Sequence, residues 1–242
     1  MPVRQSRRKK TMALDFNAVV TGQHGQMIVD GMVVTLELAV GAWILAMVLA
    51  LLLVVIRLSH WRAAHYLVAA YVSYHRNVPT LIQLMMWYFA IPTMLPQAVQ
   101  NWVNNYDTEF LFSLIALGFC QAAYFSEDIR SGLRAIPNGQ TEGARSLGMG
   151  YLQAMRLVIL PQAIRNALPS VINHTVLLFK NTSLAMVIGV AELTYVTRDI
   201  ENETFRTFES YLVASVGYLI FSLILMAAGA LLARRFQRAY QR

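Results

Sequence analysis

Between residues 211 and 233 the chain carries no charged residue in 23 positions, and it then meets Arg234, Arg235 and Arg238. A helix of that length spans about 35 Å, more than the roughly 30 Å of a bilayer's hydrocarbon core. A backbone inside lipid must satisfy its own hydrogen bonds, so such a stretch can only be a membrane-crossing helix. Residues 31–56 repeat the pattern, with Glu37 as the only charge before Arg57 and Arg62. Overall 57% of residues are hydrophobic and 14% charged, against roughly 25% charged in a soluble domain. The charges are segregated into short segments, as a bilayer requires.

Three further spans follow from the same reasoning. Residues 78–95 form an apolar run approached by an amphiphilic stretch, 66–76. Pro79 suits a first helical turn, Trp87 and Tyr88 suit an interfacial belt, and Pro92 and Pro96 mark the exit. Residues 110–125 form the third span, extended by a helical segment over 126–136. The fourth, 167–190, is interrupted by Lys180, Asn181, Thr182 and Ser183. Residues 97–109 hold no Lys or Arg and read as an outer loop, as does 191–208. The fold class is therefore all-α and integral to the membrane, with about five transmembrane helices and a short cytosolic helix between the third and fourth.

Lys and Arg fix the expected orientation. Positions 57, 62, 76, 130, 134, 145, 156, 165, 234, 235, 238 and 242 fall inside, twelve in all, against Arg198 and Arg206 in the outer loops. The C-terminus is thus expected in the cytosol and the N-terminus outside, in the periplasm. Arg4, Arg7, Arg8, Lys9 and Lys10 oppose that placement, and residues 11–30 are too polar for another crossing. The expectation is that Met12 is the native start and residues 1–11 a leader. No cleavable signal peptide is expected.

The net charge of +7 does not point to nucleic acid, because the basic residues flank apolar spans. One cysteine, Cys120, excludes an internal disulfide framework and a cysteine zinc site, and it reads as a small core residue. HExxH, GxSxG and a phosphate-binding GxxxxGK[ST] loop are absent, so no metal site or catalytic residue is expected and ATP hydrolysis would need another chain. An ion-coupled secondary carrier is the rival from another class, but it would show an internal repeat and more spans.

The inside stretch 137–166 reads as ordered. Pro137-Asn138-Gly139 is a turn signal, a short amphipathic segment follows, Gly148 permits a sharp bend, and "YLQAMRLVILP" reads as a second helix ended by Pro161. "TEGARSLGMGYLQAMRLVILP" resembles the Glu-Ala-Ala loop of ABC-type importer permeases. Glu142, Ala144, Gly148, Leu160 and Pro161 match; Gly143 replaces an Ala and Val158 an Ile. "YVSYHRNVPTLIQLMMWYFAIP", "AAYFSEDIRSGLRAIPNGQTEGARSLGM" and "LLFKNTSLAMVIGVAEL" extend the likeness to the polar amino acid branch (the histidine, glutamine and glutamate/aspartate type), over roughly residues 35–193.

That resemblance implies a three-part chain: an N-terminal segment over 1–30, a type-1-like ABC transmembrane domain over 31–234, and a cytosolic tail over 235–242. It also implies the partners. Two permease subunits form the pore, with a related second subunit favoured over a second copy. Residues 142–148 would form the coupling helix to a dimer of ATPase subunits, which hold the ATP and Mg; this chain binds no cofactor. A periplasmic or lipid-tethered binding protein would deliver the amino acid. Residues 76–96 look most like glutamate/aspartate members, with glutamine or another polar amino acid as the alternative.

Several polar residues lie at membrane depth. Lys180 is costly there unless it meets a partner, water or the bundle interior, so it reads as a contact for an anionic substrate group, or else as snorkelling to an interface or pairing with Glu127 or Asp128. Glu127 and Arg130 are spaced to pair on one helix. Asn77, Gln83, Asn173, His174, Thr182 and Ser183 complete the translocation-path candidates, with helix-to-helix hydrogen bonding as the plainer fate of His174.

Overall fold

The computed structural model describes residues 14–59 and 61–238; the expectations for residues 1–11 and for the end of the tail lie outside them. After a four-residue helical turn at Asn17–Val20, the helices are α1 (Gly22–Leu58), α2 (Arg62–Asn77), α3 (Thr80–Met94), α4 (Gln97–Val103), α5 (Thr108–Arg134), α6 (Asn138–Ser146), α7 (Tyr151–Ile188), α8 (Leu193–Thr204) and α9 (Thr207–Arg238). Four of them, α1, α5, α7 and α9, are long and apolar enough to cross a membrane, and α3 is apolar but shorter. The segment expected as the second span is a composite, in which α2 and α3 run one after the other along α5.

The central element is α5. Its register against α1 is parallel: Gly118 meets Leu45, and Glu127 meets Arg57. Against α7 it is antiparallel, with Gly132 beside Ala163 and Ala167, and Asp128 beside His174. At Gly132 a methyl group would lie 2.5 Å from the Ala163 carbonyl oxygen, so only glycine allows these two backbones to approach. In turn α9 runs antiparallel to α7, pairing Gly229 with Ile172 and Tyr218 with Phe179. These directions gather Arg57, Arg130, Arg134, Arg156, Arg234 and Arg235 at one end of the bundle, the basic end.

Between α2 and α3 the helix breaks. Pro79 drives Val78 into an extended conformation, which strips carbonyls of their helical partners. Gln83, with no exposed surface, repairs the gap. Its amide nitrogen donates to the carbonyls of His75 at 3.0 Å and Val78 at 2.7 Å, and its oxygen pairs with His75 Nδ1.

Pro161, expected to end a helix, is accommodated inside one, while α3 ends at Met94, between Pro92 and Pro96, where its exit was expected. Met86–Ala90 and Met155–Ile159 are π turns, each placed just before a proline, Pro92 and Pro161. A proline ring clashes with the carbonyl four residues back, and a widened turn opens that space. The helix expected to stop at Pro161 therefore continues through it to Asn181, and tightens into a 3₁₀ segment over Thr182–Ile188. Pro137 likewise caps a helix that starts at Asn138, where a turn was expected.

The segment 191–208, expected as an outer loop, contains α8. Glu192 starts it, accepting hydrogen bonds from the Thr194 and Tyr195 backbone at 2.9 Å each and from the Tyr218 hydroxyl at 2.6 Å. Burial pushes the Glu192 carboxyl upward, and these donors oppose that shift. The backbone N–H of Leu193 donates to Thr35 Oγ1 at 3.1 Å, which ties α8 to α1.

Candidate translocation face and basic-end helix

A polar face runs across α2, α5 and α7. Arg76 and Asn77 are exposed on the last turn of α2, just before the break. The Arg76 guanidinium lies 5.5 Å from the centre of the Tyr124 ring, and that ring lies 5.0 Å from the His174 ring. His174 Nδ1 sits 2.6 Å from the Asp128 carboxylate. On α7, Asn173 and Lys180 are exposed at a spacing of seven, two turns apart on one side of the helix.

The sequence placed Arg76 with the inner charges, by its position between the first two apolar spans. Its contact with Tyr124, ten residues before the end of α5, puts it well inside the bundle instead. Composition alone could not reveal this; the signal was Pro79, three residues on, which turns the end of α2 into an intramembrane helix end.

The other candidates separate into two groups. Gln83 braces the break and is fully buried. Thr182, also fully buried, donates to the Phe179 carbonyl at 2.7 Å, and Ser183 donates to the Lys180 carbonyl at 2.8 Å. These three hold backbone geometry. Arg76, Asn77, Asn173, His174 and Lys180 remain as side chains presented to the face. The expected pairing of Lys180 with Glu127 or Asp128 is not made: Glu127 is bound by Arg57 and Arg130, and Asp128 by His174. The expected Glu127–Arg130 pair is present at 2.6 Å, with Arg57 as an unforeseen third member.

At the basic end α6 stands between α5 and α7. Ala144 is its buried anchor, while Glu142, Gly143 and Arg145 are exposed and Leu147 is 79% exposed. Gln162 donates to the Gln140 side chain at 3.0 Å, fastening α6 to α7. Gly148 follows at φ +77°, a left-handed conformation that turns the chain back and that glycine adopts without steric cost. Leu160 and Pro161, expected to close this loop, lie within α7 just after its π turn. The result is a short, well-anchored knob that offers polar side chains and one bare leucine.

Comparison with known proteins places these features in context. Residues 46–238 match the family described as the binding-protein-dependent transport system inner membrane component. The chain is 32% identical over 196 residues to the glutamate/aspartate import permease protein GltK of Escherichia coli, covering 81% of this chain and 87% of GltK. It is 30% identical over 226 residues to the arginine transport system permease protein ArtQ of Bacillus subtilis, covering 93% and 99%. A crystal structure of an amino acid ABC transporter with histidines superposes with a TM-score of 0.81 at 30% identity, over 93% of this chain and all of the other.

Proposed function

The chain belongs to the family of binding-protein-dependent transport system inner membrane components and is an amino-acid ABC transporter permease, and from that premise we propose that it carries an acidic amino acid, glutamate or aspartate, into the cell. The basic end faces the cytosol and the N-terminus the periplasm. Residues 31–234 form the transmembrane domain, flanked by the N-terminal segment and the cytosolic tail. There α6 seats in an ATPase subunit, one of a dimer that binds ATP with Mg. A second, related permease subunit completes the pore, and a solute-binding protein delivers the substrate from outside.

The observation that carries the substrate class is the charge of the polar face. Arg76 and Lys180 are its two basic side chains, and its carboxylate, Asp128, is engaged by His174. An amino acid with a second carboxylate gains from two cations in a low-dielectric passage, whereas a cationic substrate such as arginine would be repelled. Asn77 and Asn173 supply the neutral hydrogen-bonding groups that replace water around the substrate.

Uptake in proteoliposomes holding the full transporter tests this reading. Arg76→Gln and Lys180→Gln are each expected to lower glutamate uptake at least tenfold while ATPase co-purification persists. Faster arginine than glutamate uptake by the unaltered protein would defeat the acidic assignment. Gly148→Asp is expected to abolish both ATPase co-purification and uptake, because it sets a charged side chain on a left-handed residue beside the docking knob, at about 1–2 kcal/mol for the conformation alone. Glu142→Lys should act in the same direction by reversing the knob's charge. Transport down an ion gradient by this chain alone would instead support a secondary carrier.

A further inference from the structure

A second polar feature lies away from the translocation face, at the corner where α1 turns into α2. A cleft of about 250 Å³ opens there, with Arg57, His65, Arg130 and Arg134 on its walls and Val54, Leu58 and Leu133 supplying apolar surface. Three guanidinium groups face one carboxylate, Glu127, which binds two of them. Arg134 has no ion-pair or hydrogen-bond partner among the described residues. His65 lines the same wall, and its Nε2–H donates to the Ser59 carbonyl at 3.0 Å. The cleft thus holds an excess of positive charge without an internal counterion.

Around the same corner runs a second groove, of about 500 Å³, whose lining includes Ile56, Trp61, Ala64, Leu67 and Tyr71. Trp61 is 68% and Leu67 68% exposed. Tryptophan at the end of a span marks the headgroup level of a bilayer, and the groove beside it is almost wholly apolar. A cationic cleft at headgroup depth beside an apolar groove matches a molecule with an anionic head and hydrocarbon tails.

We propose that the α1–α2 corner is a binding site for an anionic phospholipid of the inner leaflet, with its phosphate between Arg134, His65 and the Arg57–Glu127–Arg130 cluster and an acyl chain along the neighbouring groove. Charge complementarity selects this occupant: a zwitterionic headgroup would bring its own cation into a cleft already in excess, and basic pockets between helices at the cytosolic surface suit anionic lipid heads. The leaflet rests on the orientation proposed above, but the lipid class does not.

Native mass spectrometry of the full transporter, released from nanodiscs of phosphatidylcholine with a minority of phosphatidylglycerol, tests it without any transport step. Bound phosphatidylglycerol is expected in excess over its share of the bilayer. Arg134→Gln should reduce that occupancy about fivefold, the factor for losing one basic contact, while Arg235→Gln, at the same end but outside the cleft, should leave it unchanged. If Arg134→Gln does not fold, the unaltered transporter decides: occupancy that saturates as the share of phosphatidylglycerol rises supports the site, and a linear rise without saturation overturns it. Equal loss in the Arg134 and Arg235 variants would overturn the site in favour of diffuse attraction. Displacement of the lipid by inorganic phosphate alone would reassign it to a soluble anion. Unchanged lipid occupancy with loss of the ATPase would make it a protein-docking surface. Failure of glutamate uptake, by contrast, would leave the lipid result standing.

Discussion

Helices α5 and α9 both cross the bundle from end to end, yet they invert the rule that the most apolar helix is the most buried. In α5, 56% of the most apolar stretch is buried; in α9 the share is 6%, although α9 is the more apolar of the two. Buried positions of α5 include Ser113, Gln121, Ser126 and Asp128, whereas α9 exposes Leu219, Ile220, Leu223 and Ile224. Lipid tails are as apolar as leucine, so nothing drives an apolar face inward; small residues, close backbones and polar contacts do. What holds this fold together is therefore concentrated in α5, and what holds it in the bilayer is carried by α9.

That contrast can be tested by substitution. The largest effect is expected at Gly132→Leu, where the new side chain collides with the backbone of α7; a loss of about 3 kcal/mol or more should appear as a collapsed melting temperature in detergent. Next comes Glu127→Gln, which leaves Arg57 and Arg130 at the cleft without their shared carboxylate. The site is partly open to solvent, which moderates the cost to about 2 kcal/mol, and the loss should shrink at high salt. The smallest is Leu223→Ala on α9, expected to shift stability by less than about 0.5 kcal/mol. If Leu223→Ala proves as damaging as Gly132→Leu in the assembled transporter, that face of α9 is covered by protein, and the second permease subunit is the candidate to cover it.

The same contrast explains how far the sequence could be read. Long apolar runs ending in arginines located α1 and α9, because lipid exposure writes itself directly into composition. The short helix α6 was legible as an amphipathic segment closed by a bend at Gly148, and the resemblance to a known loop picked out Glu142 and Ala144. Proline misled where its clash is relieved locally: nothing in "RLVILP" distinguishes a helix end from a π turn followed by more helix. The part played by Gln83 was equally hidden, since a glutamine lining a passage and one mending a broken helix differ only in what lies opposite. Arg76 was counted with the charges of the basic end but lies against Tyr124, ten residues short of the end of α5, because counting charges by segment assumes that spans are unbroken. Glu192 escaped notice because its donors, on α8 and at Tyr218, come together only after α9 has docked.

The π turn at Met155–Ile159 has a further geometric consequence. A π turn holds one residue more than the α-helix it replaces, and one residue rotates everything downstream by about 100° about the axis. The compass bearing of Asn173, His174 and Lys180 is thus fixed not where they stand but some fifteen to twenty-five residues earlier, beside α6. Removing a single residue there would swing all three away from their present heading while leaving each one chemically intact.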